Sequence, residues 1–258
     1  MVGIVTTAGL FPKGAELAEA ARAASDGLES AAGRGVRVVS VVRNLNDGDG
    51  NVVLGRRSVP LLGRDYLEDR FLGFTLRLSL ASFFQPNAAA ARLAAHAVRA
   101  FVGKDPVDRL VDAYAGVGIL ALCAARGASE VVAIEESESA VRDGEINAQR
   151  NGFTNFRYVR GRAEDELPKI AAERPIDVLL LDPPRAGLAE PVRAALAAAA
   201  PGRIAYLSCS APTLARDLAA LVPSFTIERI VPFDFLPQTE HIEVLALLRR
   251  RGAQAARS

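Results

Sequence analysis

Cysteine is scarce in this chain, which has only Cys123 and Cys209 among its 258 residues. Two cysteines are too few for a disulfide framework, a four-cysteine zinc site or an iron–sulfur cluster. We therefore expect a protein without a bound metal or cluster. This use of cysteine fits a reducing compartment, so the predicted location is the cytoplasm.

Long apolar runs are also scarce. Outside alanine-rich segments, no stretch reaches the roughly eighteen uncharged apolar residues that a membrane-spanning helix requires. The opening residues, MVGIVTTAGLFPKG, do not join a basic region to a long apolar core as secretory signals do. Because 50% of the residues are hydrophobic, the chain can instead bury one sizeable core and a small second unit. We expect a soluble protein with no membrane partner.

Neither sign of charge is in large excess, since the net charge is +1. This balance does not by itself indicate a nucleic-acid partner, which usually shows as a markedly basic domain. Lysine is nearly missing: of 31 basic residues only Lys13, Lys104 and Lys169 are lysines. Arginine binds phosphate bidentately, but we attribute its abundance to a general bias in composition.

The first part of the chain, residues 1–82, mixes a helical segment with short strand-like runs and is predicted to form a small α+β subdomain. The helix is predicted at Gly14–Ala24. The strand-like runs, two of them separated by the turn residues NDGDG, are Val36–Val42, Asn51–Gly55 and Phe74–Leu80.

From residue 83 to residue 258 the pattern becomes one of strands alternating with longer helical stretches. This alternation is typical of the α/β class, with a parallel sheet covered by helices on both faces. Ligands bind such folds at the carboxyl ends of the strands, so the residues there are the candidates for chemistry. The predicted strands are Val107–Tyr114, Glu130–Glu135, Phe156–Gly161, Ile176–Asp182, Arg203–Cys209, Phe225–Val231 and His241–Leu248.

The motif DAYAGVG ends the first of these strands. Gly116 and Gly118 let a ligand approach the backbone, and the following helix offers free N–H groups. Such a G-x-G is common at strand-to-helix turns for steric reasons alone, but Glu135 ends the next strand, where an acid can bind both hydroxyls of a ribose. Because the third glycine of the dinucleotide motif is missing, S-adenosylmethionine fits better than NAD.

Two further strand ends carry reactive groups. Asp182 precedes two prolines that stiffen the loop, which is either an ordinary strand exit or a carboxylate pointing into the cleft. Cys209 lies at the tip of the fifth strand, before a predicted helix whose dipole would stabilise a thiolate. Cys123, inside the apolar segment ILALCAA, is assigned to the core.

Glu243 lies between Ile242 and Val244 in the last predicted strand. A glutamate in this setting can simply face solvent, and the pattern alone favours that interpretation. Partial burial would instead raise its pKa and make it a base near neutral pH.

These motifs together resemble the RNA uracil-5-methyltransferases that modify bacterial 23S ribosomal RNA and the T-loop of transfer RNA. The similarity follows the family's order through six motifs: FFQPN, DAYAGVG, INAQRN, LDPPRAG, SCSAPTLARD and PQTEHIE. The resemblance implies a Rossmann-like class I methyltransferase domain over residues 83–258, with a mostly parallel seven-stranded sheet. Residues 1–82 would then be a remnant of the family's central RNA-binding domain.

The resemblance also implies roles for single residues. Cys209 matches the nucleophile that adds to carbon 6 of uracil, and Glu243 matches the base that removes the proton from carbon 5. The adduct is needed because carbon 5 is a poor nucleophile until negative charge enters the ring. The implied partner is ribosomal or transfer RNA. The residues implied to form the S-adenosylmethionine site are Gln85, Tyr114, Gly116, Gly118, Glu135 and Asp182.

Departures from the family's pattern leave alternatives open. Ser210 and Ala211 follow the nucleophile, where the family has asparagine and proline. Many relatives carry an N-terminal β-barrel and a four-cysteine iron–sulfur site, for which this chain has neither room nor cysteines, so an accessory RNA-binding partner is one expectation. Two alternative functions are a catalytically idle RNA-binding relative and a methyltransferase of another base. Cytosine-5 enzymes have Pro-Cys, and exocyclic-amine enzymes an aromatic residue, in the loop where Pro183, Pro184 and Arg185 stand.

Overall fold

A computed structural model describes residues 1–26, 28, 35–48, 53–103 and 106–252. The chain divides into two compact units, of which the first is Met1–Asp69 with Leu76–Ser82 and the second is Arg70–Thr75 with Phe83–Ser258. The short segment Arg70–Thr75, which the sequence places in the predicted subdomain of residues 1–82, therefore groups with the second unit. That residues 1–82 form a subdomain derived from an RNA-binding domain stays a prediction.

The first unit contains a three-stranded sheet and one helix. Strand β1 (Val2–Thr6) pairs in parallel with β2 (Val41–Leu45), which pairs antiparallel with β3 (Arg57–Leu62). Helix α1 (Gly14–Ala24) confirms the predicted bounds. The strands β1 and β3 were not predicted from the sequence.

Two predicted strands of the first unit are corrected by the structure. The run Val36–Val42 is a strand only from Val41 onward, because the backbone before it bonds to other partners: the Val36 N–H donates to the Leu28 carbonyl (2.8 Å) and the Val38 N–H to Ser25 Oγ (2.9 Å). The run Asn51–Gly55 lies partly outside the described residues, and its residues 53–55 are not strand. The backbone of Gly55 is held instead by the side chain of Asn44.

A β-hairpin follows, formed by β4 (Tyr66–Phe71) and β5 (Phe74–Ser79). Its two turn residues, Leu72 and Gly73, have φ angles of 50° and 86°, as a two-residue hairpin turn requires. The sequence predicts β5 to within one residue but does not predict β4. The segment Arg70–Thr75 is the tip of this hairpin, and we refer to it as the hairpin tip.

The second unit confirms the predicted α/β fold. Its seven-stranded sheet has the order β11-β12-β10-β9-β6-β7-β8, in which β12 runs antiparallel to both of its neighbours and the other pairs are parallel. All seven predicted strands are present. They are β6 (Val107–Ala113), β7 (Ala128–Glu135), β8 (Phe156–Arg160), β9 (Val178–Leu181), β10 (Arg203–Ser208), β11 (Phe225–Phe233) and β12 (Glu243–Arg250).

Helices cover both faces of this sheet because its strands are buried on both sides and present alternate residues to each. Val111 of β6 packs in one core cluster with residues of three helices, among them Leu167, Val192 and Leu214, whereas its neighbour Leu110 packs in the other cluster with Val98 and Ala121 of two further helices. No helix in the described part of the chain is long and apolar enough to span a membrane. The helices are α2 (Ala88–Val102), α3 (Ile119–Ala124), α4 (Glu138–Arg150), α5 (Ala163–Glu173), α6 (Glu190–Ala199) and α7 (Ala211–Leu221).

The amino edge of the sheet encloses a charged side chain. Arg109 of β6 is 1% exposed, and its guanidinium forms ion pairs with Glu130 (2.9 Å) and Glu173. It also donates to the Ile170 carbonyl (2.9 Å), while Asp177 accepts from the Arg109 backbone N–H (3.1 Å). This buried network joins β6, β7, α5 and the start of β9 at the edge opposite to the carboxyl ends of the parallel strands.

Candidate functional site

A cavity of about 570 Å³ lies at the carboxyl edge of the seven-stranded sheet, and all of its lining residues belong to the second unit. The residues predicted from the sequence converge there, although they come from several loops. Of the eight predicted site residues, Gly118 does not line the cavity, and the lining ones are Gln85, Tyr114, Gly116, Glu135, Asp182, Cys209 and Glu243.

The turn after β6 is shaped by three residues with left-handed backbone. Tyr114, Gly116 and Gly118 have φ angles of 73°, 53° and 86°. A Cβ atom on Gly118 would lie 2.3 Å from the hydroxyl oxygen of Tyr158, and one on Gly144 would lie 2.1 Å from the same atom. Gly118 therefore affects the site indirectly, because its missing side chain lets the turn pack against Tyr158. At Gly116, by contrast, no atom lies within 4 Å of the position that a Cβ would take.

Glu135 fixes the position of this turn. Its Oε2 accepts a hydrogen bond from the Gly116 N–H (2.9 Å), and its Oε1 accepts one from the Ser137 N–H (2.8 Å). Each carboxylate oxygen has a second lone-pair direction, so two further hydrogen bonds can be accepted from a ligand. The carboxylate thus joins the loops after β6 and β7 and offers two acceptors to the cavity.

Asp112 lines the cavity, but the sequence analysis gave it no role because it lies inside a buried strand, β6, and not in the loop that follows. It is buried, and its Oδ2 accepts from the Ala121 N–H (3.2 Å), while its Oδ1 has no hydrogen-bond partner. Burial, and then the carboxylates of Asp182 and Glu135, hold its pKa well above the ordinary value. An unpaired oxygen in this position is an acceptor or donor for whatever fills the cavity.

The strand order brings Cys209 and Glu243 together. Ser208 at the end of β10 pairs with Val244 of the antiparallel β12, so the next residue on β10 and the preceding one on β12 stand side by side. Glu243 is partly buried, and its Oε2 has no hydrogen-bond partner. Glu243 therefore does not simply face solvent, as the pattern around it favoured, because it lines the cavity and its Oε2 is buried.

The acidic groups around the thiol affect one another. Burial, and then the neighbouring carboxylate of Glu243, raise the pKa of Asp182 to about 7. Burial raises the pKa of Glu243, against a small lowering by His241. Burial also raises the pKa of the Cys209 thiol, followed by the charge of Glu243, whereas Arg185 lowers it. The thiol is therefore mainly protonated at neutral pH before a substrate binds.

Three phenylalanines, Phe71, Phe83 and Phe84, form a second part of the lining that sequence reasoning did not identify. The buried ring of Phe71 meets Phe84 edge to face, with ring centroids 5.6 Å apart. Phe83 lines the cavity but is 70% exposed, which is unusual for a large apolar side chain. The Tyr114 hydroxyl donates to Glu164 (3.2 Å). The motif FFQPN was a signal for Phe83 and Phe84, but only Gln85 was taken from it.

The loop after Asp182 is held from α7. The buried carboxylate of Asp217 accepts from the Leu188 N–H (2.8 Å) and from the Tyr206 hydroxyl (2.8 Å). Thr213 donates to the carbonyl oxygen of Arg185 (3.2 Å). The loops that carry Asp182 and Cys209 are thus tied to each other through one helix. Within the described residues, no group of three or more potential metal ligands is present.

Comparisons with known proteins agree on one family. The model of the tRNA (uracil-5-)-methyltransferase family matches residues 61–251. An uncharacterized RNA methyltransferase, tlr0942 of Thermosynechococcus vestitus, is 38% identical over 213 residues, covering 82% of this chain and 47% of that protein. The uncharacterized RNA methyltransferase YljE of Lactococcus lactis is 33% identical over 254 residues, covering 97% of this chain and 53% of its own length. This chain spans about half the length of these relatives.

A solved structure shares the fold. The Pyrococcus abyssi tRNA (uracil-54, C5)-methyltransferase in complex with S-adenosyl-L-homocysteine superposes with a TM-score of 0.72 at 24% identity. The superposition covers 95% of this chain and 55% of that one. At this identity the likeness bears on the fold, and it agrees with the mostly parallel sheet described above.

Proposed function

The chain belongs to the tRNA (uracil-5-)-methyltransferase family, and from this premise we propose that it methylates carbon 5 of a uridine in RNA. The observation that carries the proposal is the register of β10 and β12, which sets Cys209 beside Glu243 at the wall of the cavity. A thiol nucleophile next to a partly buried carboxylate is the pair that this reaction needs.

The proposed cofactor is S-adenosylmethionine, which supplies an electrophilic methyl group when bound. The cavity volume of about 570 Å³ lies in the range of small-molecule sites. Glu135 offers two free acceptor directions for ribose hydroxyls, and the unpaired Oδ1 of Asp112 offers a partner for a polar group. The open space at Gly116 lets a ligand approach the backbone. Gln85, Tyr114 and Asp182 would complete this site.

The proposed chemistry starts at the thiol. The Cys209 thiol first loses its proton to solvent. The thiolate sulfur then bonds to carbon 6 of the uracil, and the electrons of the 5,6 double bond move toward carbon 5 and the adjacent carbonyl. Carbon 5 thereby becomes nucleophilic and accepts the methyl group. Glu243 then takes the proton from carbon 5, the double bond re-forms, and the sulfur leaves carbon 6 as a thiolate.

The target base must leave its stack to reach a thiol inside a cavity. Phe83, exposed at the cavity, is suited to stack an extruded base. Arg185, exposed in the loop after Asp182, is suited to bind a phosphate. Single-stranded or looped RNA is therefore the proposed substrate form. Ribosomal RNA and transfer RNA both contain such loops, and the cytoplasm stays the predicted location.

The test compares the two cysteines. RNA lacking 5-methyluridine is incubated with S-adenosylmethionine and with wild type, Cys209→Ala or Cys123→Ala, and its nucleosides are analysed by mass spectrometry. We expect 5-methyluridine from wild type and from Cys123→Ala, because Cys123 is buried in α3 and does not line the cavity. Product from Cys209→Ala, or a methylated base other than uridine from wild type, would refute the proposal. RNA binding without any methyl transfer would favour the idle relative instead.

A further inference from the structure

The residue that follows helix α4, Asn151, has a side chain that bonds to another segment as a neighbouring strand would. The Asn151 Oδ1 accepts from the Thr75 backbone N–H (2.9 Å), and its Nδ2 donates to the Thr75 carbonyl (2.9 Å). One side-chain amide thus satisfies both backbone groups of a residue in the hairpin tip. The same Nδ2 donates to the Asn147 carbonyl at the end of α4 (2.7 Å).

The hairpin tip contributes directly to the cavity. Phe71 is 1% exposed and lines the cavity, with its ring edge to face against Phe84 and the Arg92 guanidinium 5.8 Å from its centroid. On the other side of the turn, the ring of Phe74 packs near Phe153, with centroids 6.1 Å apart. All of these residues belong to the second unit. One wall of the cavity is therefore supplied by a segment that precedes the predicted domain of residues 83–258.

We infer that Asn151 is a positioning residue of the cofactor cavity, which holds the hairpin tip in place and so keeps Phe71 against Phe84. The inference rests on the proposed function in one respect, namely that the cavity binds S-adenosylmethionine or its demethylated product. Asn151 itself does not line the cavity, so it can affect binding only through the residues that it holds. The competing explanation is that Asn151 merely ends α4 and stabilises the fold.

The chain offers a matched control. Asn155 is partly buried like Asn151, and its Nδ2 donates to the Ala128 carbonyl (2.7 Å) at the amino edge of the sheet, away from the cavity. Both Asn151→Ala and Asn155→Ala remove side-chain-to-backbone bonds. Only the first should release the hairpin tip.

Three measurements on the full chain separate the explanations. Titration calorimetry with S-adenosylhomocysteine should show affinity about tenfold weaker for Asn151→Ala and unchanged for Asn155→Ala. Urea unfolding should show that both variants lose stability. Hydrogen exchange should be faster at the Thr75 amide in Asn151→Ala alone, because that N–H loses its acceptor.

A mutant cycle tests the route through Phe71. If Asn151 acts by holding Phe71, the double variant Asn151→Ala/Phe71→Leu should bind S-adenosylhomocysteine as tightly as whichever single variant has the lower affinity. Fully additive losses would overturn the inference, as would equal weakening by Asn155→Ala. Should Asn151→Ala fail to fold, Asn151→Asp keeps the acceptor for the Thr75 N–H but sets a carboxylate oxygen against the Thr75 and Asn147 carbonyls, so it should still weaken affinity, and binding equal to wild type would overturn the inference.

The two possible failures are distinguishable. Wild type without affinity for S-adenosylhomocysteine would refute the proposed cofactor, whatever Asn151 does. Wild type that binds, together with an Asn151→Ala variant that binds equally well, would overturn only the positioning role.

Discussion

The substitution Glu135→Gln tests the cofactor site most directly. Glu135 accepts one N–H bond on each carboxylate oxygen, from Gly116 and from Ser137. Glutamine has the same shape, but its NH₂ group replaces one carboxylate oxygen. That group can accept a hydrogen bond neither from the backbone N–H that it faces nor from a ribose hydroxyl. A lost hydrogen bond to a charged group corresponds to about 1.5–3 kcal/mol. The dissociation constant for S-adenosylhomocysteine should therefore rise roughly 10- to 150-fold.

The assay is titration calorimetry on wild type, Glu135→Gln and the control Glu138→Gln. Glu138 lies in the first turn of α4, is largely exposed and pairs with Arg160 (3.0 Å), so its loss removes a similar charge outside the cavity lining. Urea unfolding of each variant establishes that the fold is intact. An affinity of Glu135→Gln within about twofold of wild type would refute the ribose assignment. Equal weakening by Glu138→Gln would show that general electrostatics, and not hydrogen bonding, determine the binding.

Three further predictions follow from the same geometry. The Glu243→Gln variant should still form the bond between Cys209 and carbon 6 but should not remove the proton from carbon 5. A methylated RNA adduct of the protein should therefore appear as a shifted band on a denaturing gel. Absence of this band would count against Glu243 as the base. The pKa of Asp182 in the folded protein is about 7, above the ordinary value of 3.8. Between these two pH values the folded state binds more protons than the unfolded state, so the free energy of unfolding should fall as the pH rises from one to the other. Asp182→Asn should remove that dependence and raise the urea midpoint at pH 8, and an unchanged pH profile would refute the assignment. Arg109→Met should lower the free energy of unfolding by about 1–3 kcal/mol, since it removes the buried guanidinium while Glu130 keeps Arg174 and Glu173 keeps Arg157 as partners. Calorimetry on the remaining folded protein should show unaltered cofactor affinity, and a loss of affinity instead of stability would contradict this role.

The sequence predicted the second unit well because its strands are short apolar runs bounded by polar residues. The run Val178–Leu181, for example, is buried on both faces of the sheet. A short apolar run of this kind, where strands alternate with helices along the chain, is typical of a buried parallel strand. Since parallel strands end at one edge, the residues after them were expected to meet, and Tyr114, Asp182 and Cys209 do line one cavity.

The sequence could not predict contacts that depend on strand order. The neighbourhood of Cys209 and Glu243 exists because β12 inserts antiparallel between β10 and β11, and no local pattern encodes that insertion. Taken alone, the pattern around Glu243 favoured a solvent-facing residue. Only the resemblance to a family gave it a role in advance.

The hairpin tip shows a second limit. The hairpin tip belongs to the second unit, and one of its contacts there is made by the side chain of Asn151, which bonds to a residue 76 positions earlier in the chain. Composition placed the boundary after residue 82, because the rhythm of strands and helices changes there. A hydrogen bond between one side chain and a distant backbone does not change the pattern of strands and helices along the sequence, so that pattern could not predict it.

Tyr158 gives three separate positions a shared steric constraint. Its hydroxyl occupies the space that a side chain would need at Gly118, in the turn after β6, and also at Gly144, in α4. A methyl group at either glycine fits only if residue 158 becomes smaller or moves. Mutational libraries that vary one position at a time should therefore reject every change at 118 and 144, whereas libraries that vary 144 and 158 together have room to succeed. At 118 the φ angle of 86° keeps any side chain strained even when residue 158 is small. Replacing Gly144 thus begins at residue 158, which does not line the cavity.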